Sequence, residues 1–75
     1  MISIDNKAPD TGKALRVALA AKHMTRKDLA SKIGVSLNHM SRLAQGKITV
    51  QGETLNAIAA ALDMRSSEFL ALGED

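Results

Sequence analysis

Seventy-five residues allow one domain, since a domain takes roughly 100–200 residues. The chain has no cysteine and two histidines, His23 and His39, which excludes disulfide staples and thiolate metal sites and gives zinc almost nothing to hold. The net charge of +2 says little about partners.

A chain this short buries only about 60–65% of the surface that its unfolded form exposes. Stability must therefore come from efficient packing. Hydrophobic residues make up 45%, yet Phe69 is the single aromatic and twelve residues are alanine. Such a composition favours small, closely packed helices over a sandwich or barrel, which draws on aromatic and β-branched residues.

Charge is unevenly spread. Residues 1–21 sum to +1, residues 22–49 to +5 and residues 50–75 to −4. The middle carries Lys22, Arg26, Lys27, Lys32, Arg42 and Lys47 against Asp28 alone. Clustered positive charge suits a polyanion. The N-terminus lacks a basic region followed by an apolar run, and no apolar stretch approaches the roughly 20 residues that span a membrane. A cytoplasmic protein without a membrane partner is expected.

Residues 1–9 read as an N-terminal arm in which Ile2 and Ile4 alternate with polar residues, closed by Pro9. Asp10 or Thr11 can cap a first helix. Leu15, Ala18, Leu19 and Lys22 follow helical spacing, so this helix runs to about Lys22. Thr25-Arg-Lys-Asp28 is a capping-box variant with a shorter acid than the usual Glu. A second helix follows with Leu29, Ala30 and Ile33 inward, and Gly34 stops it. Ser36 caps a third helix carrying Leu37, Met40, Leu43 and Ala44 to Gly46. A loop over 47–51 leads to a fourth helix over about 52–62, with Leu55, Ile58, Ala59 and Leu62 on one stripe. A short fifth helix over about 66–72 presents Phe69, Leu70 and Leu72. The fold class is all-α, with a domain over 10–72 and a tail at 73–75.

Residues 26–45 are the most informative. Two helices of about eight residues flank a turn of about four containing glycine, the layout of a helix-turn-helix. Counting from Arg26, a small residue stands fifth (Ala30), glycine ninth (Gly34) and a bulky apolar residue fifteenth (Met40). Ala30 suits the closest crossing of the two helices. Gly34 suits a left-handed turn. Met40 fills the wedge with Leu29, Ile33, Val35 and Leu43.

LASKIGVSLNHMSRLAQGK, followed by ETLNAIAAALDM and a closing short helix, resembles the lambda-repressor/Cro type (XRE-like) of helix-turn-helix domain. The resemblance covers residues 12–72. It implies five helices, the second and third forming the motif and the third lying in the DNA major groove. Members often carry an arginine late in helix 1 and a glutamate late in helix 3 as a buried ion pair. The corresponding positions look like Leu19 and Ala44, so both charges are absent together. Losing one partner costs about 3–5 kcal/mol, whereas replacing both is often neutral. His23 stands where the first helix usually ends in Gly or Asn.

By family position, the base readers are Leu37, Asn38, Ser41 and Arg42. Arg42 can bond guanine O6 and N7, Asn38 can bond adenine N6 and N7, and Leu37 can pack on a thymine methyl; Ser41 discriminates weakly. Phosphate contacts are expected from Thr25, Arg26, Lys27, Ser36, His39, Gln45 and Lys47, aided by free amides at the start of helix 2. Arg26 stands where the family often places a glutamine. Lys22 and Lys32 serve equally as solubilising charges. Phe69, Leu70 and Leu72 serve either the core or a dimer surface, and Ile2–Ile4 offers another pairing segment.

No catalytic constellation, phosphate loop or cofactor site is visible, so neither enzyme activity nor a cofactor or metal is expected. The reading is a sequence-specific transcriptional regulator of double-stranded DNA. It resembles a small phage- or mobile-element-type repressor, bound as a homodimer to a palindromic operator. The alternatives are an antitoxin with a partner protein and autoregulatory DNA binding, and a helical interaction module with no DNA role.

Overall fold

Asp10 opens the first helix by accepting a hydrogen bond from the Lys13 amide at 3.0 Å through its side chain. The computed structural model describes residues 10–74. It contains five helices: α1 (Thr11–Ala21), α2 (Arg26–Ile33), α3 (Leu37–Ala44), α4 (Gly52–Ala61) and α5 (Ser66–Ala71). Each start and stop lies within about two residues of the sequence expectation, and side-chain caps set the starts of α1, α2 and α3. The arm, including Ile2 and Ile4, lies outside the described residues.

α1 packs against α3 and α5, α2 against α3 and α4, and α4 against α5. They enclose one apolar cluster of Leu15, Leu29, Met40, Leu43, Val50, Ile58, Leu62 and Phe69, with buried alanines between them. Alanine at the crossings lets backbones approach closely. Phe69 is 0% exposed. It therefore belongs to the core and cannot also present itself to a second copy, which removes it from the expected dimer surface. Leu70 and Leu72 also lean on the core but stay partly exposed.

α1 and α4 end alike. In α1, the Met24 amide donates to the Leu19 carbonyl (2.9 Å) and the His23 amide to Ala20 (3.2 Å). In α4, Met64 donates to Ala59 (2.9 Å) and Asp63 to Ala60 (3.0 Å). These paired bonds form the Schellman motif, which satisfies late carbonyls. His23 (φ 53°) and Asp63 (φ 59°) take the left-handed position without being glycine. Met24 and Met64 follow and pack against the core.

A carboxylate then starts the next helix. In α2 the box is complete: Thr25 Oγ1 accepts from the Asp28 amide (3.0 Å) and Asp28 Oδ2 accepts from the Thr25 amide (3.2 Å). Asp28 is long enough for the return bond after all. In α5 only half is built, because an arginine side chain has no acceptor. There Glu68 Oε1 accepts from the Arg65 amide at 2.7 Å.

A very tight backbone approach lies between α1 and the end of α3. A Cβ built on Gly12 would stand 2.8 Å from the Gly46 nitrogen and 2.9 Å from its Cα. Only glycine fits there. Nearby, the buried Thr11 hydroxyl accepts from the Val50 amide at 3.0 Å, tying the α3–α4 loop to the start of α1.

Gly12→Ala is expected to destabilise the domain by about 1–3 kcal/mol, as overpacking does, although alanine is the better helix former; thermal unfolding reads the sign. His23→Gly is expected to raise stability by roughly 0.5–1 kcal/mol. It relieves the left-handed strain on a side chain, less the extra freedom that glycine gives the unfolded chain. The bonds to the Thr25 amide, and then to its hydroxyl, hold the Asp28 carboxyl below its ordinary 3.8. A depressed folded pKa gives stability that is complete above the unfolded value and lost as pH falls through the folded one. The stability gap between the native chain and Asp28→Ala should therefore be constant at neutral pH. It should narrow below pH 3.8 in unfolding titrations.

Candidate nucleic-acid interface

The turn between α2 and α3 is set by Gly34, whose φ of 78° is left-handed. Its amide and that of Val35 both donate to the Ala30 carbonyl, at 2.9 and 3.0 Å. Ser36 then redirects the chain, its Oγ accepting from the His39 amide at 3.0 Å. Glycine supplies the bend and serine the new start, so α3 leaves the turn in a fixed direction.

A helix advances about 100° per residue. Met40, Leu43 and Ala44 fall on one side of α3 and are buried. Leu37, Asn38, Ser41, Arg42 and Gln45 fall within an arc of about 140° on the other. Of these, Leu37, Asn38, Arg42 and Gln45 are exposed, and Ser41 is half-buried. The four residues expected to read bases thus share one face. Leu37 is 48% exposed, although it is one of the largest apolar side chains. No packing inside the monomer accounts for that exposure. His39 lies between the two arcs and is half-buried.

Most of the expected phosphate ligands lie at the surface. Thr25, Lys27, Ser36, Gln45 and Lys47 are exposed, and Arg26 is half-buried. The start of α2 differs from expectation in one respect. Its capping box occupies the Thr25 and Asp28 amides, so these two donors are not open to an anion. The low pKa of Asp28 also keeps a negative charge there. The Arg26 and Lys27 side chains carry the positive charge at this end.

The sequence reading missed the support behind α3. Four carbonyls at a helix C-terminus lack internal partners. Here Ser41 receives the Gln45 amide (2.9 Å), Arg42 receives Lys47 (3.0 Å) and Leu43 receives Gly46 (3.2 Å). The last, Ala44, receives the Nη1 of Arg16, which reaches across from α1. Leu19 and Ala44 are both buried and apolar, so the charges expected at those positions are indeed replaced. An arginine of α1 nonetheless meets the end of α3, from three residues earlier and on a main-chain oxygen. A guanidinium there also opposes the negative end of the helix dipole.

Among the described residues, no group of His, Cys, Asp or Glu is placed to hold a metal. Nor is any described helix long and apolar enough to cross a membrane.

The geometry agrees with what the chain resembles. The Cro/C1-type HTH DNA-binding domain matches residues 14–75. Two crystal structures of the clp gene regulator ClgR from Corynebacterium glutamicum superpose with a TM-score of 0.80 and 31% identity. Each match covers 87% of this chain, and 69% and 84% of the respective ClgR chains. No curated protein sequence matches significantly. A family match over residues 14–75, with solved structures that superpose at a TM-score of 0.80, places this chain in the Cro/C1-type helix-turn-helix DNA-binding domain family.

Proposed function

We propose that this domain is a sequence-specific transcriptional regulator that lays α3 in the major groove of double-stranded DNA. The observation that carries this reading is the outward face of α3. It brings an arginine, an asparagine and an exposed leucine together on a helix whose opposite side is sealed into the core. Each has a natural base partner: guanine for Arg42, adenine for Asn38 and the thymine methyl for Leu37. Ser41 adds a weakly discriminating hydroxyl. Arg26, Lys27 and Lys47, with the hydroxyls of Thr25 and Ser36 and the polar ends of His39 and Gln45, fix register on the phosphates. The similarity to a clp gene regulator supports regulation of genes as the setting.

One recognition helix covers about four to six base pairs. Selective binding then calls for two copies about 34 Å apart on a two-fold symmetric site. Leu70 and Leu72, still partly exposed on and after α5, are the apolar residues we assign to the contact between copies.

Selection from a random duplex pool should return a palindromic site with half-sites one helical turn apart. Arg42→Ala should weaken binding to that site by about ten- to a hundredfold, corresponding to about 1–3 kcal/mol, and relax the preference at one position. Lys47→Ala should weaken all duplexes alike and reduce the salt dependence by about one phosphate contact. Recovery of no preferred sequence, together with indifference to Arg42→Ala, overturns the reading.

A further inference from the structure

We propose that Arg16, on α1, is a positioning residue for base reading: it fixes the tilt of α3 and touches no DNA itself. This rests on α3 being the reading element.

α3 is eight residues long, or about 12 Å. Its N-terminal end is held by the turn at Gly34 and the Ser36 cap. Met40, Leu43 and Ala44 hold its inner side to the core, but apolar packing is non-directional, so a short rod pinned at one end can still tilt. The second anchor lies at the other end. Arg16 donates to the Ala44 carbonyl, the last one in the helix. Gly12, one turn before Arg16, lets the α1 backbone close onto Gly46. The same absent Cβ would stand 3.2 Å from that Ala44 oxygen. Both contacts converge on one carbonyl, two residues from Arg42.

The tolerance is narrow. A swing of about 10° displaces the end of a 12 Å rod by about 2 Å. Hydrogen bonds to base edges hold over only about 0.5 Å. A small swing therefore removes the paired contacts of Arg42 and leaves phosphate attraction nearly intact, because a point charge acts over a longer range. The loss should fall on selectivity rather than on general affinity.

The test uses the whole chain, the selected duplex and a scrambled duplex, at a temperature where circular dichroism shows every variant folded. Arg16→Gln and Arg16→Lys are compared with the native chain across a salt series. The expected result for Arg16→Gln is a fall of about tenfold in the ratio of specific to non-specific affinity, the size expected for a lost charge-assisted hydrogen bond. The salt slope should not change. Arg16→Lys, which keeps a cationic donor, should recover part of the ratio. An unchanged ratio with only a lower melting temperature overturns the proposal, since Arg16 then serves stability alone. A parallel loss on both duplexes, with the salt slope reduced by about one, overturns it as well, since Arg16 is then a phosphate ligand. If Arg16→Gln does not fold, the Arg16→Lys ratio decides alone: at or above the native value it overturns the proposal. Absence of selectivity in the native chain would instead defeat the reading of α3 on which the proposal stands.

Discussion

The end of α3 rests on α1, and the direction in which α3 presents its outward face follows from that seat. Glycine at position 12 lets two backbones meet at a distance no side chain tolerates. Arg16 takes the one late carbonyl that the helix cannot satisfy with its own following amides. Thr11 holds the loop that leaves the helix. Three residues within about a turn and a half of α1 thus fix the end, the exit and the closeness of α3. The turn at Gly34 fixes its beginning. Between these anchors the apolar side of α3 is buried, and its polar side has a single orientation to offer.

The rest of the molecule makes this seat rigid at small size. With one aromatic residue, the core cannot rely on large rings. It relies on alanines that bring helices close and on ends that leave few polar groups unpaired. No buried side-chain nitrogen or oxygen among the described residues lacks a partner. The same joint occurs twice: a left-handed residue, a methionine folded onto the core, and a carboxylate starting the next helix. It links α1 to α2 and α4 to α5. In a chain whose net stability is a few kcal/mol, each cap is worth a sizeable fraction.

Most of the fold was legible because its signals are local. Thr25 with Asp28, Gly34 and Ser36 each announce a start or a stop within four residues. Helical spacing predicted most of the outward arc of α3, although it grouped Leu37 with Met40, Leu43 and Ala44, and Leu37 is 48% exposed. The seat did not, because its acceptor is a main-chain carbonyl. Ala44 carries no side-chain sign that anything bonds to it, and Arg16 reads as a surface charge. Gly12 was the available clue, since glycine inside a helical stretch marks a close backbone approach. Phe69 could not be apportioned between core and surface, because spacing on a six-residue helix covers less than two turns. The extent of the Asp28 bond was likewise a matter of ångströms rather than of residue type.

The central claim is that the outward face of α3 meets DNA, with the start of α2 beside it and the α4–α5 joint apart from it. Amide chemical shifts followed by NMR during titration with the selected duplex test this residue by residue. The largest changes should fall at residues 36–47 and 25–28, with little movement at 63–68. Strong changes at 63–68 with residues 36–47 unmoved would contradict it.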